Sequence, residues 1–265
     1  MKRVRIADLQ TKKNHSEPIT MLTCYDAMFA KILDNSGVDI LFVGDTLGVV
    51  VQGHNTTLSV TLEHIIYHTQ MVYRGSKRAH VTADMPFMTY QQDIKSAMEN
   101  AAKLIVAGAQ SVKLEGGVRI HETVKAMTEA GIPVMGHVGL TPQSVHAFSG
   151  YKLQGKTDEA KKRILEDALS LQDAGAYAVV LECVPEILAK EVTERLHIPT
   201  IGIGAGRFCD GQVLVIYDLL GLNPEFKPKF LKTYLNGGAL IQQACEKYVT
   251  EVRQRVYPDL EHSVI

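Results

Sequence analysis

Residues 107–117 read AGAQSVKLEGG, and their reading decides the fold. Gly108 closes a helical run, as glycine does just past a last turn. Residues 110–116 have the apolar and β-branched content of a short buried strand, and Gly116 and Gly117 stop it. Yet Lys113 and Glu115 stand two residues apart, so in a strand both side chains leave on one face. A buried strand that gives a whole face to a charged pair needs an interior able to take charge. The same order recurs at 174–183, AGAYAVVLEC, where glycine again precedes a strand and the strand ends on Glu182.

Working outward, eight apolar runs stand along the chain: 19–26, 38–45, 79–84, 110–116, 132–139, 176–183, 198–206 and 212–218. Each closes on a polar residue or glycine and gives way to an amphipathic stretch. From Asp93, an N-cap residue by type, Ile94, Ala97, Met98, Ala101, Leu104 and Ile105 follow helical spacing. Between Thr157 and Gly175, Ala160, Ile164, Ala168 and Leu171 make one stripe. Strands alternating with helices predict a parallel sheet covered by helices, and eight is the strand number of a (β/α)8 TIM barrel. A doubly wound open sheet competes. Its dinucleotide-binding form fails, because Arg207 stands where the run Gly202, Gly204 needs a third glycine. The expectation is one barrel domain spanning residues 1–265.

The chain has 265 residues, 46% hydrophobic and 22% charged, a globular profile that excludes a disordered one. Its 28 basic and 29 acidic residues are interleaved, so no basic stripe exists to follow a phosphate backbone and no nucleic-acid partner is expected. Cys24, Cys183, Cys209 and Cys245 form no C-x-x-C pair, which argues against zinc and fits a reducing compartment. The basic start MKRVRIADLQTKKNH lacks the apolar core of a secretory signal. No segment approaches the roughly 18 apolar residues of a membrane span. A soluble cytoplasmic protein is expected.

In a barrel enzyme the active site lies at the carboxyl ends of the strands. Those ends carry Asp45, Asp84, Glu115, His137 and Glu182. Four carboxylates at neighbouring tips repel one another unless something offsets them. A divalent cation would do so, and hard oxygen ligands favour Mg2+ over zinc. Glu115 is placed at or just outside that cation. For Lys113, one layer down, two readings stand open: neutralising surplus acid, or holding a substrate carboxylate. The plain reading of His137 is a strand-end histidine bonded to its neighbours. Asp26 reads as an N-cap, Asp218 as the end of strand eight, and Tyr25, Phe42 and Phe87 as packing. Two long irregular segments, 45–64 and 139–159, leave the catalytic end and read as pocket walls or a lid.

The motifs VGDTLGVVVQGH (43–54), ADMPFMTY (83–90), VKLEGG (112–117), GHVGLTPQS (136–144), LECVP (181–185) and IGIGAG (201–206), with TCYDAMFAK (23–31) and DGQVLVIYDLLG (210–221), closely resemble the ketopantoate hydroxymethyltransferase family. The resemblance runs over nearly the whole chain. It implies a barrel of the phosphoenolpyruvate/pyruvate-type superfamily and transfer of a hydroxymethyl group from 5,10-methylenetetrahydrofolate to 3-methyl-2-oxobutanoate. Ketopantoate would form for pantothenate and coenzyme A synthesis, through an enolate stabilised by Mg2+. It also implies a cytoplasmic homo-oligomer, decameric in many bacterial members. Carried over by position, the metal carboxylates fall on Asp45, Asp84 and Glu115. The keto-acid contacts fall on Asp45, Thr46, Asp84 and Lys113, and the proton acceptor on Glu182. His137 is expected to orient Glu115 or to lie near the folate. Thr46 stands where many members have serine; it keeps a hydroxyl for the substrate carboxylate and adds a methyl. Asn55 and Ser59 also depart from the family's usual aspartate and proline. Two other readings stay open: a Mg2+-dependent 2-oxo acid C–C lyase, which would want a cysteine acid on a flexible loop, and a non-catalytic 2-oxo acid binding barrel, which would not need Glu182.

Overall fold

In the computed structural model, which describes residues 2–264, each of the eight apolar runs coincides with a strand, the eighth of which begins one residue earlier, at Gly211. They are β1 (Ile19–Thr23), β2 (Ile40–Val43), β3 (His80–Asp84), β4 (Ser111–Glu115), β5 (Val134–Gly139), β6 (Ala178–Glu182), β7 (Thr200–Ile203) and β8 (Gly211–Leu214). Neighbours pair parallel in chain order and β8 pairs with β1, so the sheet is a closed barrel and the open-sheet alternative is excluded. The helices of this unit are α1 (Ile6–Asn14), α2 (Ala27–Asn35), α3 (Leu47–Val50), α4 (Leu62–Gly75), α5 (Ile94–Val106), α6 (His121–Glu129), α7 (Asp158–Asp173) and α8 (Glu186–Arg195).

Local chemistry sets the helix starts as read. The carboxylates of Asp26 and Asp93 accept the N–H groups of Phe29 and Ser96, each at 2.8 Å, and the Thr157 hydroxyl accepts that of Ala160. Each satisfies an N–H that the first helical turn leaves unpaired. On α7 the predicted stripe buries Ile164, Ala168 and Leu171, while its first member, Ala160, is half-buried.

Because strand side chains alternate, each strand offers one face to the barrel axis. The interior is divided. Ile19, Met21, Ile40, Phe42, Ile201 and Val213, from the strands on either side of the β8–β1 seam, belong to one buried apolar cluster with Leu9 of α1. On β3 and β4 the same face carries His80, Thr82 and Asp84, then Ser111, Lys113 and Glu115, all buried. One sector is therefore hydrocarbon and the other polar from floor to mouth. Helix α1 closes the floor, where Lys12 Nζ lies 3.2 Å from Asp39 and Lys13 Nζ 2.7 Å from Asp210.

Two expectations change. Strand eight stops at Leu214, and Asp218 lies in the short helix α9 (Ile216–Leu219) rather than at a strand end. The segment 45–64 is not wholly irregular, since it holds α3 and the start of α4. The chain divides into two compact units, Met1–Val215 and Ile216–Ile265. The second contains α9 and α10 (Gly237–Arg253).

Candidate active site

The charged pair of β4 faces the interior, and the strands beside it bring its partners. In the β3–β4 register Asp84 lies beside Lys113, and in the β4–β5 register Glu115 lies beside His137. Lys113 Nζ lies 2.8 Å from Asp84 Oδ1, 3.9 Å from Glu115 Oε1 and 3.4 Å from His137 Nδ1. The Phe42 ring, expected only to pack, also closes over this ammonium at 5.3 Å. His137 continues the chain of charges, its Nδ1 3.6 Å from Glu115 Oε1 and its Nε2 3.3 Å from Glu182 Oε2. Asp45 joins from the turn after β2, where its own N–H donates to Asp84 Oδ2 at 3.1 Å. The structure thus brings Asp45, Asp84, Lys113, Glu115, His137 and Glu182 into one constellation.

Burial sharpens the electrostatics. It raises Asp45 well above the ordinary carboxylate range, and the charges of Asp84 and Glu115 add to the rise. Asp84 is raised by burial too, against the opposing pull of Lys113. For Lys113, burial works against the charge, but Asp84, Glu115 and Asp45 outweigh it and hold the ammonium above its usual value. Burial and Lys113 both oppose a charge on His137, yet Glu115 and Glu182 on either side lift it to about 9. Two groups able to carry positive charge, Lys113 and His137, thus stand among four carboxylates, those of Asp45, Asp84, Glu115 and Glu182.

That deficit fits a hard divalent cation. Asp84 Oδ1 takes the Lys113 ammonium at 2.8 Å, and buried Asp45 beside it is left facing the like charges of Asp84 and Glu115, a hard-oxygen set of the kind a cation offsets. Among the described residues no three His, Cys, Asp or Glu side chains form a ready-made metal cage. Mg2+ asks for none, since it binds one or two carboxylates and keeps water and substrate oxygens. The donor set therefore fits Mg2+.

The loops complete the walls. Gln143, in the turn Pro142–Ser144 after β5, donates its backbone N–H to Glu115 Oε2 and its side-chain amide to Asp45 Oδ2, each at 2.9 Å. Tyr90, from the loop after β3, bonds the backbone of Glu115 and the amide oxygen of Gln143 through its hydroxyl. Neither was singled out in the sequence. Both lie inside the quoted motifs, but a neutral tyrosine or glutamine carries no charge signature to mark it. Thr46 is half-buried beside Asp45 at the head of α3. Phe87 is 41% exposed and does not pack as expected, because its loop leaves the barrel mouth. Past Glu182 the chain reverses at Cys183, whose φ of +46° is the left-handed region that favours glycine. Gly139 (φ +93°) lies against this turn, where a Cβ would sit 2.4 Å from the Glu182 carbonyl oxygen. Burial and the Glu182 charge push the Cys183 thiol up to about 11.

A family model described as ketopantoate hydroxymethyltransferase matches residues 3–260. The chain belongs to the ketopantoate hydroxymethyltransferase family. It is similar to the 3-methyl-2-oxobutanoate hydroxymethyltransferase of Clostridium kluyveri, 51% identical over 99% of this chain and 94% of that one. It is 54% identical to the enzyme of the same name from Magnetococcus marinus, over 99% and 98% of the two chains. Among solved structures, 2,3-dimethylmalate lyase, a PEP mutase/isocitrate lyase superfamily member, superimposes with a TM-score of 0.63 at 17% identity, over 100% of this chain and 89% of that one. Phosphonopyruvate hydrolase in complex with oxalate and Mg++ gives 0.64 at 10% identity, over 99% and 93%. These distant likenesses show that the ketopantoate hydroxymethyltransferase family shares its barrel fold with that superfamily.

Proposed function

We propose that the chain transfers a hydroxymethyl group from 5,10-methylenetetrahydrofolate to 3-methyl-2-oxobutanoate, giving 2-dehydropantoate for pantothenate and coenzyme A synthesis. The observation that carries this reading is the buried Lys113–Asp84 pair at 2.8 Å within an acidic ring that reaches, across His137, the half-buried carboxylate of Glu182. The name borne by relatives 51% and 54% identical supports it.

Asp45 and Asp84, with Glu115 at or just outside contact, would hold Mg2+. Bound there, Mg2+ supplies Lewis-acid withdrawal of charge from the keto group of a 2-oxo acid. Lys113 Nζ and the Thr46 hydroxyl take the substrate carboxylate, a charge-assisted pair in a water-poor pocket. Glu182 takes the proton from C3 of the substrate, acting as general base. His137 Nε2, 3.3 Å from Glu182 Oε2, keeps that carboxylate turned to the mouth. The carbon freed of its proton forms its new bond to the one-carbon unit, while one water cleaves that unit from the folate nitrogen and leaves its oxygen as the new hydroxyl, and tetrahydrofolate departs with the proton. Loops 45–61 and 140–157 wall the mouth and limit entry to that one water.

We further infer a cytoplasmic homo-oligomer, a decamer by the family resemblance. On α10, Ile241, Tyr248 and Val252 are exposed at helical spacing. Such an apolar stripe is what a subunit interface buries. The scattered cysteines support a reducing compartment.

Glu182→Gln tests the base. Mg2+-dependent binding of 3-methyl-2-oxobutanoate, read by calorimetry, is expected to persist. Loss of the C3–H signal in D2O, read by proton NMR, should slow by about a hundredfold or more. Abolished binding, or exchange at the wild-type rate, would remove Glu182 from that role.

A further inference from the structure

We infer that Gln143 is a positioning residue that holds Asp45 and Glu115 at one spacing and so sets the affinity of the site for its cation. The inference rests on the reading of those two carboxylates as the cation-facing groups.

Gln143 is 5% exposed, and every hydrogen-bonding group of its amide is used. Nε2 donates to Asp45 Oδ2 and to the Met85 carbonyl oxygen, both at 2.9 Å. Oε1 accepts from the Tyr90 hydroxyl at 2.9 Å and from Gln91 Nε2 at 3.2 Å. This set fixes which end of the amide is which. Turned over, the amide oxygen would face a carboxylate and a carbonyl, both acceptors. The backbone N–H of the same residue reaches Glu115 Oε2 at 2.9 Å. Pro142 before it has no N–H, so this is the first donor its turn can offer. One residue thus grips two carboxylates, one in the turn after β2 and one at the end of β4, that repel each other.

Tyr90 ties the second end of the brace. Its hydroxyl accepts the Glu115 N–H at 3.0 Å, and its one proton is shared between Gln143 Oε1 and the Glu115 carbonyl oxygen. The ring is 1% exposed, so the hydroxyl has no water to fall back on. The turn after β5, the loop after β3, the turn after β2 and the end of β4 are therefore tied to one another. Carboxylates that bind a metal depend on such outer bonds for their orientation, and losing one typically costs about 10- to 100-fold in affinity.

Gln143→Asn tests this in the full chain. It keeps the amide and the backbone N–H but draws the amide back by about 1.5 Å, one carbon–carbon bond, out of reach of Asp45. Mg2+ affinity is read by calorimetry with and without 3-methyl-2-oxobutanoate, beside thermal unfolding of the same samples. The expected result is a Mg2+ affinity at least tenfold weaker in a variant that still unfolds cooperatively, with KM for the keto acid rising more than kcat falls. Tyr90→Phe should lose Mg2+ affinity in the same direction, which keeps the inference testable if the asparagine variant does not fold. A folded variant within twofold of wild-type Mg2+ affinity, or a loss confined to kcat, would overturn the role of Gln143. Wild-type protein that fails to bind Mg2+ would instead overturn the cation reading beneath it.

Discussion

His80 stands at the floor of the polar sector. Its Nδ1 donates to the Val4 carbonyl oxygen at 3.2 Å, and its Nε2 lies 2.9 Å from the Ser111 hydroxyl. Burial, with Arg3 nearby, lowers its pKa to about 4. The unfolded chain protonates histidine near 6.5, so between pH 6.5 and about 4 the unfolded state holds a proton that the native state refuses. Stability is lost as pH falls through that window, by about 3 kcal/mol in all. Asp45 and Asp84, raised in the native state, act in the opposite sense over acidic pH. The difference between wild type and His80→Asn isolates the histidine. Urea midpoints measured from about pH 7 to about pH 4.5 should fall more steeply for wild type. Parallel slopes would show that His80 is charged in the fold. At the same scale, the +46° φ at Cys183 follows directly on Glu182. Strain of this kind survives where the surroundings over-determine it, and here Gly139 packs directly against the Glu182 carbonyl at that turn.

Among the elements, α1 shows how an end of the barrel unrelated to catalysis is held. Asp39 and Asp210 bond the N–H and hydroxyl of Thr20 and Thr200 respectively, at strand starts, and each then receives a lysine from α1. Lys13 and Asp210 are only 13% and 15% exposed as side chains, so water screens them little. Lys13→Ala should leave Asp210 without its partner and cost about 1–3 kcal/mol, read as a lower urea midpoint. Because α1 lies at the floor and the site at the mouth, kcat should not change. An unchanged midpoint would make the pair ornamental, and a fall in kcat would couple the floor to the site. The elements also mark where the chain is legible. Helix α5 could be read from Asp93 to Gly108 because its cap, stripe and stop are local signals. The end of β8 could not, because QVLVIYD stays apolar past Leu214 and only pairing with β1 decides where the strand stops.

For the whole molecule, α10 carries the prediction. Ile241, Tyr248 and Val252 are 56%, 57% and 42% exposed, the apolar stripe on which the proposed homo-oligomer rests. Replacing Ile241 and Tyr248 together by glutamate should shift the sedimentation coefficient towards that of a single chain. Wild type that sediments as a monomer, or a double variant that assembles unchanged, would remove α10 from the interface. The barrel itself argues at this scale for why the charged pair of β4 is tolerated. The cost of burying Lys113 and Glu115 is offset by Asp84, His137 and Glu182, which arrive from β3, β5 and β6.

The sequence by itself determined the eight strands, the helix caps and the acidic strand tips, and through its motifs the family. These are local features: periodicity, a capping side chain and a residue type at the end of a run need only their neighbours in the chain. Only the tertiary structure decided that Gln143 and Tyr90 brace Asp45 and Glu115, that Phe42 lies over Lys113, and that His137 sits between Glu115 and Glu182. Hydrogen bonds and ion pairs between residues such as Asp45 and Gln143, 98 positions apart, depend on barrel closure and strand register. Neither leaves a trace in the composition of either segment.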